Sequence, residues 1–269
     1  MPLSSLIKNE SDWTIVQISD THLMDQDDLE FAAMNPEHSF QDVIQHMQQH
    51  LPEIDAIVHT GDLAQVPVAA TYERYLRFMQ TLNVPHFQIP GNHDDTAIFP
   101  FYRQQDRAHM LSFGNWRIIL LNSAVAGKVD GWVAATQLQE LDLLLSEQAQ
   151  QHVVIACHHH PFAMKSAWID QHKLKNSDDL LTVIAKHSNV KAVLYGHVHQ
   201  DSRNDLNGVQ FLSTPSTSVQ FKPMSDSFAL DESFPGYRVL HLKANGEFKS
   251  EVIRVKTNQP EINAEISGY

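Results

Sequence analysis

With 269 residues, 42% of them hydrophobic and 19% charged, the chain can build an ordinary core, and its composition excludes a disordered protein. A formal net charge of −13 argues against a general nucleic-acid or anionic-membrane surface, and no apolar run approaches the roughly 18 residues that a bilayer span needs. The single cysteine, Cys157, leaves no internal disulfide and fits a reducing compartment; with no basic patch followed by an apolar stretch in residues 1–12, a cytoplasmic protein is expected.

Short apolar runs alternate with helical patterns along the chain. Strands are expected at Trp13–Ser19, Ala56–Thr60, His86–Ile89, Ile118–Asn122, Val153–Cys157 and Val190–Tyr195. Helices are expected at Phe40–His50, Ala69–Leu82, Thr136–Gln148 and Asp178–His187. Such interleaving means βα units, a sheet covered by helices and the α/β class. The tail differs: Val209–Ser213, Tyr237–Leu242 and Phe248–Val255 read as strands, the last two joined at Ala244-Asn245-Gly246. A second, partly antiparallel sheet packed on the first is therefore expected. No repeat, low-complexity tract or Gly/Ser linker divides the chain, so residues 1–269 are expected to form one domain. The polar stretch around residues 214–232, with Pro215 and Pro223, is expected to be an ordered loop on the substrate side.

Polar clusters fall where five of these strands end: Asp20-Thr21-His22, Gly61-Asp62, Gly91-Asn92-His93-Asp94, His158-His159-His160-Pro161 and Gly196-His197-Val198-His199. Ligand sites of open α/β sheets form at the carboxyl ends of strands, so all five can converge on one rim. Seventeen histidines is a large number for this length. Imidazole, carboxylate and carboxamide without a thiolate cluster suit iron, manganese or zinc. One ligand set per cluster gives Asp20, His22, Asp62, Asn92, one histidine of the triplet, His197 and His199, too many for one closed tetrahedral site. The number suits two metals sharing a carboxylate, and such pairs, ~3.5–4 Å apart, clamp a phosphate and activate a water between them. Taken alone each cluster is bland: Gly-Asp is a turn signal, and Asn92 is a favoured helix-cap residue. The ordered set at successive strand ends is what points to metal.

In this order the motifs resemble those of the calcineurin-like metallophosphoesterase superfamily, a sandwich of two mixed β-sheets flanked by helices. Within it the chain resembles the bacterial class III cyclic-nucleotide phosphodiesterases over nearly its whole length. The resemblance rests also on Ile18–Leu23, Thr60–Gln65, Trp168–His172, Thr214-Pro215-Ser216, Gln220–Pro223 and the terminal Gly268-Tyr269. It implies one metal on Asp20, His22, Asp62 and His199, and a second on Asp62, Asn92, His159 and His197. His159 is selected because the family motif is His-X-Pro and Pro161 lies two residues on; His160 becomes a candidate either to support the ligands or to face the substrate. It further implies an iron–manganese pair, with zinc as an alternative, and hydrolysis of 3′,5′-cyclic AMP to 5′-AMP by a metal-bridging hydroxide. His93 would stabilise the phosphate or protonate the leaving oxygen, with Asn92 beside it on the substrate. Asp94 either orients His93 or starts a helix. For the nucleoside, Phe221 is expected either to stack on adenine or to anchor its loop in a small core, and Lys222, Trp168 and His172 are weaker candidates. The competing readings are a broader phosphodiesterase or phosphomonoesterase, a nuclease, and a binding module without chemistry. A complete ligand set counts against the last, and the acidic balance against the nuclease.

Overall fold

The computed structural model describes residues 12–101, 104 and 106–257; the Gly268-Tyr269 pair lies outside the described residues. From the N-terminal side come β1 (Trp13–Ile18), α1 (Pro36–His50), β2 (Ala56–His59), α2 (Ala69–Gln80) and β3 (His86–Gln88). Next are β4 (His109–Phe113), β5 (Trp116–Leu120), α3 (Ala135–Glu147), β6 (His152–Ala156), α4 (Ala167–Asp170), α5 (Ser177–Ala185) and β7 (Val190–Tyr195). The remainder is strand: β8 (Arg203–Leu206), β9 (Val209–Ser213), β10 (Gln220–Phe221), β11 (Leu230–Asp231), β12 (Gly236–Leu242) and β13 (Phe248–Arg254).

Two mixed sheets result. The first runs β13-β12-β1-β2-β3, and the second β4-β5-β6-β7-β9-β8. Strands β1, β2 and β3 are parallel, with β12 and β13 added antiparallel at one side. In the second sheet β5, β6, β7 and β9 are parallel, with β4 and β8 antiparallel at the edges. Alternation along the strands of the second sheet makes it two-faced. Ile118, Leu120, Val154, Ala156, Ala192 and Leu194 join Ile15, Val16, Ile18 and Val58 of the first sheet in one core. Ile119, Val153, Ile155, Val193 and Tyr195 face away, against Leu138, Leu141 and Leu145 of α3 and Leu180, Val183 and Ile184 of α5. On the other side α1 and α2 bring Phe40, Val43, Met47, Tyr72, Tyr75 and Met79 to the first sheet. Helices therefore flank a pair of packed sheets, as expected.

The differences from the expected elements have local causes. Helix α1 starts four residues early, because Asn35 caps it through His38 N–H and Pro36 takes the first turn, where its missing N–H costs nothing. Strands β4 and β8 were not expected from the sequence: both are edge strands, and the residues of β8, Arg203-Asn204-Asp205-Leu206, are mostly exposed. The turn after β8 did carry a signal, since Asn207 and Gly208 both take positive φ (52° and 84°), the usual chemistry of a two-residue hairpin. The stretch 214–232 contains the small β10–β11 ribbon, held by Met34, Val219 and Phe221.

Candidate metal centre

All five polar clusters sit just past the carboxyl ends of parallel strands: β1, β2 and β3 of one sheet and β6 and β7 of the other. Because the two sheets pack face to face, these ends meet at one rim. Asp20, His22, Asp62, His158 and His159 are wholly buried there, with His197 and His199 nearly so, and Asn92 and His93 stand at the more open side.

The backbone bends hard to bring them in. Asp20 (φ 55°), His22 (φ 53°), Asp62 (φ 53°), His197 (φ 69°) and His199 (φ 48°) all occupy the left-handed region, which is uncommon for residues with a side chain and costs them energy. Two glycines make room. Gly61 (φ 101°) would drive a Cβ into the His158 ring, and a Cβ on Gly91 would strike the Asp62 carboxylate. Any side chain at either place would displace a group that faces the centre.

The hydrogen bonds fix which atoms face inward. His22 Nδ1–H donates to Gln65 Oε1 (2.9 Å), His158 Nδ1–H to the Thr60 carbonyl (2.7 Å) and His199 Nδ1–H to the Val219 carbonyl (2.8 Å). With Nδ1 so engaged, each of these rings turns its Nε2 toward the centre, the arrangement usual for metal-binding histidine. His22 Nε2 and His199 Nε2 lie 3.2 Å apart, and His199 Nε2 is 3.3 Å from Asp20 Oδ1. His158 Nε2 lies 3.1 Å from Asn92 Oδ1 and 3.3 Å from Asp62 Oδ2, while His22 Nε2 is 3.8 Å from that same Asp62 oxygen. Asp62 Oδ2 and both ring nitrogens of His197 are buried without a hydrogen-bond partner. Buried carboxylate oxygens and imidazole nitrogens crowd together here, an arrangement that cations relieve. The donor set of carboxylate, carboxamide and imidazole fits two transition-metal ions sharing Asp62.

His159 stands differently. It belongs to one cluster with His158 and His197 whose potential ligand atoms lie within 4.8 Å of one another, but its own nitrogens are committed. Ser123 Oγ, already accepting from the backbone N–H groups of His158 and His159, donates to His159 Nδ1 (2.8 Å), and His159 Nε2–H donates to the Val129 carbonyl (3.0 Å). No lone pair is left. The histidine of the triplet that faces Asp62 and Asn92 is His158, where the sequence selects His159. The His-X-Pro spacing identifies the loop, but only the ring orientations distinguish neighbours on it. His160 lies parallel to His197 (centroids 5.4 Å apart, planes at 22°) with its Nε2 3.7 Å from Asp170 Oδ1.

The electrostatics follow from burial. His22 and His197 are held well below the ordinary imidazole range, chiefly by burial, so they are neutral and able to bind a cation. Burial also opposes a proton on His158, yet the carboxylates of Asp62 and Asp20 push it up to about 9. For Asp62 burial favours the acid form, but His158, His93 and His22 together hold it well below the usual carboxylate range. His93 is shifted down by burial, against the pull of Asp62. Its backbone N–H donates to Asp62 Oδ1 (2.9 Å) and its ring meets that of His22 edge-on at 5.0 Å.

Asp94 neither orients His93 nor starts a helix. It is buried, and its oxygens accept from the N–H groups of Gly91, Leu63 and Ala64 and from the Tyr72 hydroxyl. It thereby ties the Asn92 loop to the Asp62 loop. A second tie comes from beyond β9: Ser216 Oγ donates to the Asp20 carbonyl (2.6 Å), and Thr217 N–H to that of Ser19 (3.0 Å). Gln65, Ser123, Val219 and Ser216 are the supporting residues that sequence reasoning missed, since their part depends on contacts across the fold. Phe221 is fully buried and stacks on His199 at 3.8 Å and 10°; it anchors its loop and cannot take a nucleobase. Lys222 is exposed, Trp168 packs edge-on against Phe221, and His172 is half-buried.

The calcineurin-like phosphoesterase family matches residues 14–201. The 3′,5′-cyclic adenosine monophosphate phosphodiesterase CpdA of Haemophilus influenzae is 37% identical, covering 95% of this chain and 94% of its own. A 3′,5′-cyclic-nucleotide phosphodiesterase of Nostoc is 35% identical over 92% of this chain and 94% of its own. Among solved structures, a dimetal phosphatase from Danio rerio superposes with a TM-score of 0.62 at 17% identity, over 91% of this chain and all of that one. That last likeness is one of fold. Taken with the five strand-end clusters, these matches show that the chain belongs to the calcineurin-like phosphoesterase family.

Proposed function

We propose that the protein is a two-metal phosphodiesterase that hydrolyses 3′,5′-cyclic AMP to 5′-AMP. The observation that carries this is the set of inward-facing side-chain atoms of Asp20, His22, Asp62, Asn92, His158, His197 and His199, in a chain similar over 95% of its length to a cyclic-AMP phosphodiesterase. Asp20, His22, Asp62 and His199 would hold one ion, and Asp62, Asn92, His158 and His197 the other, iron and manganese by likeness to the family. Bound there, two such ions supply a Lewis acid for the phosphate and a water acidic enough to attack near neutral pH.

The chain's own residues do the rest. The neutral imidazoles of His22 and His197 and the two carboxylates help set the charge of the centre, and carbonyl oxygens keep the rings of His22, His158 and His199 from turning. Asn92 and His93, at the open side, meet the phosphate. Burial lowers the proton affinity of His93 while the Asp62 carboxylate raises it; as the imidazolium it would give a proton to the departing 3′ oxygen and be left as neutral imidazole.

The test is product formation from 3′,5′-cyclic AMP by purified, metal-analysed protein, with manganese and with chelator, beside 3′,5′-cyclic GMP, 2′,3′-cyclic AMP and bis(p-nitrophenyl) phosphate. Metal-dependent 5′-AMP at a rate well above the other substrates is expected. Turnover of the artificial diester alone would remove cyclic AMP as the substrate, and no turnover without bound metal would remove the enzyme.

A further inference from the structure

Just before α1 the chain makes a two-residue turn from Phe31 to Met34, closed by reciprocal backbone hydrogen bonds of 2.7 and 3.0 Å. Its central residues, Ala32 (φ 53°) and Ala33 (φ 63°), are both left-handed. Elsewhere the same turn is made with Asn207-Gly208, the residues that tolerate it. Two alanines in this conformation are strained, and strain of this kind persists only where the surroundings hold it. Here the surroundings are the metal centre. Met34 is buried with Val219 and Phe221, and the half-exposed Phe31 ring lies along His22, 5.5 Å between centroids and 23° between planes.

Stacked on the His22 ring and packed against the Met34–Val219–Phe221 cluster, the partly exposed Phe31 ring stands beside the centre. Phe221 offers no such exposed ring, being buried beneath His199, and the neighbouring partly buried rings of Trp168 and Phe228 meet Phe221 edge-on. A nucleotide whose phosphate sat among the Nε2 atoms would bring its base within reach of an aromatic ring packed on His22. Aromatic faces bind bases of any sequence by stacking.

We propose that Phe31 is the stacking platform for the nucleobase, and that the strained Ala32-Ala33 turn serves to hold it there. The proposal rests on the nucleotide reading above, and deepens it by naming a residue that sets affinity for the base rather than for the phosphate.

The test measures, by calorimetry on the metal-loaded protein, the affinity for 5′-AMP relative to ribose 5-phosphate, which has the same sugar and phosphate without the base. In the wild-type protein the base is expected to improve affinity roughly tenfold to a hundredfold. Phe31→Leu, which keeps an apolar side chain against His22, is expected to reduce that ratio to within about twofold, and Phe31→Trp to retain it. An unchanged ratio in Phe31→Leu overturns the proposal. So does an equal loss for both ligands, which would mean that Phe31 only steadies His22, and so does a wild-type ratio near one. Because neither ligand is turned over as the cyclic substrate, absence of cyclic-AMP hydrolysis would count against the function and not against the platform.

Discussion

The residues facing the centre are held in backbone conformations that most side chains avoid. In Asp20-Thr21-His22 and His197-Val198-His199 the first and third residues are left-handed, which bends the backbone sharply where both side chains of each pair meet the centre. Each such residue costs on the order of 1–3 kcal/mol, a cost met by packing and by the ties to Ser216, Thr217 and Val219. The neighbouring histidines of the triplet divide their tasks by hydrogen bonding alone, and this separates them experimentally. His158→Ala is expected to lose one of two bound ions, measured by metal analysis after purification. His159→Ala is expected to keep both and instead to lower thermal stability, since Ser123 and the Val129 carbonyl lose a buried partner. His93→Ala should reduce turnover roughly 10²- to 10⁴-fold with metal content nearly unchanged, the behaviour of a proton donor outside the ligand set; loss of metal would make its part structural.

Two loop elements are built around single residues. Asp94 gathers three backbone N–H groups and a tyrosine hydroxyl from the loops after β2 and β3 and from α2. Asp94→Ala leaves several buried donors unpaired at about 1–3 kcal/mol each. A total of about 3 kcal/mol or more would lower Tm by roughly 6–12 °C in a chain of this size, readable by calorimetry. The Phe31–Met34 turn predicts the opposite sign. At Ala33 a left-handed side chain costs about 1–2 kcal/mol, and the added freedom of glycine in the unfolded chain offsets about 0.4–1 kcal/mol of the relief. Ala33→Gly is therefore expected to stabilise by about 0.5–1 kcal/mol, seen as a rise in denaturation midpoint; a fall would mean that the turn is unstrained.

At the scale of the molecule, the two sheets meet so that strand ends from both supply one centre, and Asp62 and His197 are left with buried polar atoms that only a further partner satisfies. Ions bound there stabilise the native state by mass action, about 2.7 kcal/mol for each ion at a hundred times its dissociation constant. Chelation should thus lower Tm by several degrees, restored on adding metal, and the shift should shrink in Asp62→Asn. Arg238 of β12, almost fully buried, donates to the Ser213 carbonyl at the end of β9 and to Asp201, fastening one sheet to the other beside the site. No helix among the described residues is long and apolar enough to cross a membrane.

By itself the sequence determined the α/β class, most strand and helix positions, the hairpin at Ala244-Asn245-Gly246, and the polar clusters at five strand ends. These are local properties: alternation, helical periodicity and glycine before a polar residue act over a few neighbours. Edge strand β8 escaped because its mostly exposed residues carry no apolar alternation, and β4 because only Leu111 and Phe113 of its five residues are buried, too short a pattern to read. Only the tertiary structure decided that His158 rather than His159 turns its Nε2 toward Asp62 and Asn92, because that depends on Thr60, Ser123 and Val129, which lie 30 to 98 residues away in the chain. The same is true of Phe221, which its sequence context leaves open between a nucleobase and a core, and which contact with His199 commits to the core. Asp94 likewise became a tie between two loops only once β2 and β3 had brought their ends together. Orientation about a single side-chain bond is set by what the fold places around it, and no spacing along the chain encodes that.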